Sequence, residues 1–201
     1  MSDQALLTLE DLRVDFHTPT GIVNAVRGLS FTLGRERLGI VGESGSGKSM
    51  TGRAILDLIP HPGVVSAKRM EFRGKDLTTM DRASRRKLRG RHISMVMQDP
   101  KFSLNPVMTI GRQITETLRH HENVSKREAR RRALAMLEAV QISDPERVFG
   151  LYPHEVSGGM GQRAMIAMML VCGPELLIAD EPTSALDVTV QLEVLGILDR
   201  L

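Results

Sequence analysis

The apolar positions of the chain change period several times, and each change marks an element. Leu7 to Phe16 (LTLEDLRVDF) and Ile22 to Leu33 (IVNAVRGLSFTL) partly alternate apolar and polar residues on either side of HTPTG, which predicts an antiparallel strand pair. Leu38 to Val41 is a short apolar run that predicts a strand. From Lys48 to Ile59 the apolar residues Ala54, Ile55, Leu58 and Ile59 take helical spacing, closed by Pro60 and Pro62. A strand is expected near Lys68 to Phe72, a short arginine-rich helix at Ser84 to Leu88, and a buried strand at Ile93 to Met97.

After Pro100 the pattern turns helical. Ile110, Ile114 and Leu118 fall on one face of a helix from Thr109 to His120, and Ser125 with Glu128 forms a capping box ahead of Ala133, Leu134, Met136, Leu137 and Val140. Leu151 to Glu155 reads as irregular, and Ser157 caps a helix with Met165, Ile166, Met169 and Leu170 inside. Four apolar residues, LLIA, then lead into Asp180, Glu181 and Pro182, the pattern of a parallel strand buried on both faces. An amphipathic helix from Asp187 to Leu201 closes the chain.

Composition changes this picture little. With 201 residues and 41% apolar residues, the chain is expected to make one domain, or one domain with a subdomain, with a substantial core. No run of about 18 apolar residues is present, and the start lacks a basic, then apolar, leader, so a cytoplasmic protein is expected. A single cysteine, Cys172, excludes an internal disulfide and reads as a buried, inert thiol. The net charge of +3 comes mostly from clusters at residues 82–91 and 126–132. They are read as solvated faces and not as a nucleic-acid site, because no aromatic residues are interleaved for stacking.

The candidate chemistry lies between the expected strand at Leu38 to Val41 and the helix after it. Gly42, Glu43, Ser44, Gly45, Ser46, Gly47, Lys48 and Ser49 match G-x-x-x-x-G-K-[ST] at every position. Glycines let successive backbone N–H groups point inward, the helix presents its positive end, and Lys48 reaches the outer phosphates. Ser49 is placed to hold Mg2+, and Met50 joins the nucleotide site beside it. Phe16, at the end of the first strand, either stacks on a purine or serves as an ordinary core or edge phenylalanine. Asp180 at a strand end would hold the metal, and Glu181 would polarise an attacking water.

With Val156 to Arg163 (VSGGMGQR), LLIADEP at Leu176 to Pro182, SALD at Ser184 to Asp187 and the strand-end Gln98 added, the chain resembles the ATPase subunits of ATP-binding cassette transporters. VGESGSGKS, LNPVMTIG, YPHEVSGGM and IADEPTSALDVTVQ resemble the peptide, dipeptide and nickel importer branch. The resemblance implies an α/β fold: a P-loop NTPase (RecA-like) core, residues 1–98 and 174–201, with an antiparallel N-terminal part and an inserted helical subdomain, 99–173. It implies ATP and Mg2+ as ligands, with Gln98 sensing metal and nucleophile. A second ATPase subunit is implied, packed head to tail, so that Ser157, Gly158 and Gly159 complete the partner's ATP site and Asp187 touches that subunit. Two permeases, indirectly a periplasmic binding protein, and the cytoplasmic face of the bacterial inner membrane follow; nucleic acid does not.

Two departures stand out. Gly161 lies where the branch usually has arginine, removing a cation and about 1 kcal/mol of helix propensity. The sequence stops at Leu201, ahead of the strand and switch histidine that the resemblance places after SALD. The expectation is therefore a core lacking its C-terminal strands, with a truncated, non-hydrolytic nucleotide-binding subunit as the alternative function. A DNA-repair ATPase with the same motifs is disfavoured by the absence of a long coiled coil or zinc cysteines.

Overall fold

The alternation at the start of the chain closes into a hairpin in the computed structural model, which describes residues 5–97, 103–182, 191–192 and 196. β1 (Leu7–Thr18) and β2 (Gly21–Leu33) pair antiparallel, from Leu7 opposite Leu33 to Thr18 opposite Gly21. Thr18 Oγ1 donates to the Gly21 carbonyl at 2.7 Å and closes the turn. The other edge of β1 carries two short strands in series, β3 (Gly63–Ser66) and β4 (Arg69–Phe72), and β5 (Lys75–Asp76) adds to β4. β3 (GVVS) does not alternate polar and apolar residues and β5 has two residues, whereas RMEF of β4 alternates, which is why only the β4 region is visible in the sequence.

Residues 1–87 form one compact unit and 88–201 a second. In the first, Leu7, Leu9, Leu12, Val14, Met70 and Phe72 point to one side of the sheet and are almost fully buried. α1 (Lys48–Ile55) adds Ala54 and Ile55 to that core. The helix stops four residues before Ile59. Asp57 takes a left-handed φ of 57°, its N–H bonds the Ala54 carbonyl, and the Leu58 N–H bonds the Arg53 carbonyl, a Schellman termination that the prolines downstream do not cause.

Arg85 makes this end firm. It lies in α2 (Arg82–Leu88), inside one of the two basic clusters, yet it is 7% exposed and donates to the carbonyls of Ala54, Ile55 and Leu77 at 3.3, 3.2 and 3.1 Å. Its charge meets the negative end of α1, so this residue is a helix cap and not a solvated cation.

The strand expected at Leu38 to Val41 is absent. These residues join no ladder of the five-stranded sheet, and Val41 is 96% exposed. An apolar run becomes a strand only where a neighbouring backbone satisfies its N–H and C=O groups, and this unit supplies none.

In the second unit β6 (Ile93–Val96) pairs parallel with β7 (Leu176–Ala179), Ile93 opposite Leu176 and Val96 opposite Ala179. Burial on both faces belongs to β6, all four residues of which are buried. β7 was expected to be so and is not: Leu176 is buried, Leu177 and Ile178 are half-buried, and Ala179 is exposed. Among the described residues β7 has one ladder partner, so its apolar side chains lack cover on the far side.

Four helices lie between β6 and β7 in the described sequence, α3 (Ile110–His121), α4 (Lys126–Ala139), α5 (Pro145–Gly150) and α6 (Gly158–Leu170), and α6 packs on β6. Ile110, Ile114, Leu118, Ala133, Leu137 and Ile166, each 0% exposed, form their common core. Burying a Leu or Ile side chain contributes roughly 1.5–3 kcal/mol, so this face holds the insert together. Ser125 caps α4 as expected, accepting from the Glu128 N–H at 3.2 Å, but the Glu128 carboxylate pairs with Arg131. In the stretch expected to be irregular, Tyr152 and Glu155 bracket a 3-10 turn, Pro153–Glu155: the Tyr152 N–H donates to the Glu155 carboxylate at 2.7 Å and the Glu155 N–H to the Tyr152 carbonyl at 3.0 Å. The expected helix from Asp187 to Leu201 lies outside the described residues.

Candidate nucleotide site

The loop from Gly42 to Ser46 is exposed, and it turns into α1 through Gly47, whose φ is +95°. A Cβ there would lie 2.3 Å from the Ala25 carbonyl oxygen of β2, so glycine is required twice, by conformation and by space. Gly45 is also left-handed, at +80°. No side chain caps α1, which leaves its first N–H groups open to an anion.

Lys48 is turned back over this loop. Its Nζ donates to the carbonyls of Gly42 at 2.7 Å and Glu43 at 2.9 Å. The ammonium is thereby held beside the open helix end, where a phosphate would meet it and the backbone N–H groups together. Thr51, 2% exposed, binds the Gly47 carbonyl through both its N–H and its hydroxyl and ties the first turn down. Ser49 and Met50 are half-buried in that turn. Phe16 is half-buried at the open end of β1, opposite Val23 on one side and Gly63 on the other. Its ring edge lies against Gly63, while Val23 is 56% exposed, so apolar surface remains available beside it.

In the second unit α6 starts at the motif that the sequence singles out. Ser157 is its N-cap and accepts from the Met160 N–H at 3.3 Å, which leaves the hydroxyl proton free to donate outward. Ser157 and Gly158 are exposed. Asp180 and Glu181 follow β7: the Asp180 N–H extends the ladder to the Val96 carbonyl at 2.9 Å, and Glu181 turns into a left-handed φ of 45°. That conformation costs a residue with a Cβ about 1–2 kcal/mol and must be held in place by its surroundings. Gln98 lies outside the described residues, two positions beyond the end of β6.

The side-chain oxygens of Ser49 and Asp180 are hard donors of the type that magnesium takes. Among the described residues no three His, Cys, Asp or Glu side chains converge on a metal position. A hard cation that takes one or two protein oxygens and completes its shell with phosphate and water needs no such cluster. Ser49 in the first unit and Asp180 in the second each carry a side-chain oxygen of this kind.

Two features escape a sequence reading. Gln162, 1% exposed in α6, donates to the Pro182 carbonyl at 2.6 Å. Glu122, just past α3, receives Arg91 at 2.8 Å and Arg132 at 2.5 Å, and the same arginines donate to the carbonyls of Cys172 and Val171 at the end of α6. The hydrogen bond from Arg132 holds the Glu122 carboxyl below its ordinary range. Neither grouping has a spacing that would reveal it. Arg130 and Arg131 of α4 are engaged as well, Arg130 with Glu146 and the Phe149 ring and Arg131 with Glu128, so these arginines belong to an ion-paired face.

Comparison with known proteins places these motifs. A family model described as ABC transporter matches residues 26–184. The chain is 50% identical over 198 residues to the oligopeptide transport ATP-binding protein OppD of Bacillus subtilis, covering 98% of this chain and 55% of that protein. OppD of Escherichia coli is also 50% identical over 198 residues, 98% of this chain and 58% of the relative. The dipeptide transport ATP-binding protein DppD of Haemophilus influenzae is 48% identical over 195 residues, 96% and 59% respectively. The chain thus spans little more than half the length of these curated relatives. Among solved structures, the dimeric bacterial ABC transporter cassette MJ0796 superposes with a TM-score of 0.84 at 28% identity, covering 97% of this chain and 82% of that one. A post-hydrolysis state of the same cassette bound to ADP and Pi gives 0.82, with the same identity and coverage.

Proposed function

The chain belongs to the ABC transporter family, and from that membership we propose that it is the ATP-hydrolysing subunit of a bacterial peptide importer. The observation that carries the reading is the phosphate loop. An uncapped helix end, a left-handed Gly47 and the Lys48 ammonium come together at one exposed loop, a combination that suits a polyphosphate. Resemblance at about half identity to oligopeptide and dipeptide transport ATP-binding proteins supports peptides as the cargo class.

In this reading residues 42–50 bind the phosphates of ATP and Phe16, with the exposed apolar surface beside Val23, receives the base. Ser49, Asp180 and Gln98 hold Mg2+, which would neutralise developing phosphate charge. Glu181 accepts the proton of the attacking water. Ser157, Gly158 and Gly159 bind the terminal phosphate held by a second ATPase subunit packed head to tail. Each direct charge-assisted bond there contributes roughly 1.5–3 kcal/mol, against about 0.3–1 kcal/mol from the helix end. The bonds therefore dominate closure of the pair.

The helical insert offers a face to the permeases. Gln113, 7% exposed, bonds the N–H and carbonyl of Asn105 and the carbonyl of Met108, and the loop so braced holds Val107 out at 78% exposure. Among the described residues no helix is long and apolar enough to cross a membrane, which accords with a peripheral subunit on the cytoplasmic face of the inner membrane. Substrate choice then rests with the permeases and a periplasmic binding protein.

Turnover of Glu181→Gln tests the reading. Retained ATP binding with hydrolysis lost supports it, and hydrolysis at the wild-type rate removes Glu181 from its role. The intact phosphate loop and Glu181 favour this function over a non-hydrolytic subunit.

A further inference from the structure

Glu181 is a single residue between two backbone anchors. On its N-terminal side the Asp180 N–H bonds the Val96 carbonyl at 2.9 Å, the last rung of the β6–β7 ladder. On its C-terminal side Pro182 has no N–H to give, so its carbonyl is the one backbone group there that can be held. Gln162 holds it, at 2.6 Å. Between the anchors Glu181 adopts φ +45°, a conformation that a residue with a Cβ keeps only when its surroundings impose it. The following proline also restricts the residue before it.

Gln162 is a costly choice for this place. It is 1% exposed in α6, and a buried amide is tolerated only where its bonds are made. Packing alone would be served by methionine, which this helix uses four times. The amide NH2 is the part of the side chain that a carbonyl can use.

We propose that Gln162 is a positioning residue for hydrolysis: it fixes the Pro182 carbonyl, thereby sets the backbone turn at Glu181, and so aims the Glu181 carboxylate. The proposal rests on the catalytic reading of Glu181 above. It also gives α6 a second task. Gln162 lies five residues after Ser157, about 7–8 Å along the same helix, so a displacement of the Ser157–Gly159 end moves the anchor of this chain's own carboxylate. Occupation of the partner's ATP site is thereby communicated to Glu181 without an intervening loop.

The test is steady-state ATPase and ATP affinity of the full chain carrying Gln162→Met, Glu181→Gln, or both. Gln162→Met keeps length and removes the donor. It should lower kcat about tenfold or more while leaving ATP affinity within about twofold, and should add nothing to the loss in Glu181→Gln. An unchanged kcat, or the same fold loss in both backgrounds, overturns the proposal. If Gln162→Met does not fold, Gln162→Glu carries the test. Its ionised form presents an acceptor to the Pro182 carbonyl and its protonated form a donor, so turnover relative to the unsubstituted chain should recover as pH falls, and a flat ratio overturns the proposal. Wild-type hydrolysis by Glu181→Gln alone would remove the catalytic reading and this proposal with it. An inactive Glu181→Gln beside a fully active Gln162→Met removes only the proposal.

Discussion

Lys48 Nζ donates to the carbonyl of Gly42, the first residue of the loop in which it lies, at 2.7 Å. The cation is held by the loop's own carbonyls next to a helix start that no side chain caps, so positive charge and a helix N-terminus stand together before a nucleotide arrives. Preorganisation of this kind lowers the ordering cost of binding.

The loop's weakest tolerance is at Gly47. With φ at +95° and the Ala25 oxygen 2.3 Å from any Cβ, Gly47→Ala must shift either the loop or β2. ATP affinity should fall about tenfold or more, by fluorescence or calorimetric titration, with a lowered melting temperature.

Two glycines in helices should respond to alanine in opposite directions. At Gly161 the new methyl would meet only Val156 Cγ2, at 3.9 Å, an ordinary contact. Gly161→Ala should raise stability by about 0.5–1 kcal/mol through helix propensity. At Gly111 it would lie 2.2 Å from the Phe149 ring, on which Arg130 is stacked. Gly111→Ala should destabilise by about 1–3 kcal/mol despite the same propensity gain. Denaturant midpoints of the two variants check the pair, and equal signs would contradict the packing described.

His121 supplies a pH dependence. Burial, then repulsion from His120 and Arg91, holds its imidazole below the ordinary value of about 6.5. The unfolded chain therefore takes up this proton at higher pH than the folded one, so the contribution is unaffected above that ordinary value and stability falls as pH drops below it. Chemical denaturation from pH 8 to 5 should show the loss, and His121→Gln should flatten it.

The sequence made the phosphate loop, the β1–β2 pair, Ser157 as a cap and the core face of α6 legible, because each depends on neighbours within a few positions. What it hid depends on distant partners. Leu38 to Val41 carries strand composition but finds no ladder in its unit. α1 stops at Asp57 through a backbone conformation that Pro60 and Pro62 do not dictate. Arg85 reads as one more surface cation and is a buried cap only because Ala54, 31 residues earlier, ends a helix there. Gln162 and Pro182 are 20 residues apart, and no period connects them. The role of Phe16 was open in the sequence; its half-buried ring beside exposed Val23 is compatible with a stacking surface.

The central claim, that residues 42–50 form an ATP site organised by Lys48, is tested most directly by titrating MgATP into the chain and into Lys48→Ala. The unsubstituted chain should bind, and loss of a charged hydrogen-bond donor worth roughly 1.5–3 kcal/mol should weaken binding by about tenfold or more. Equal affinity in the two proteins would contradict the account.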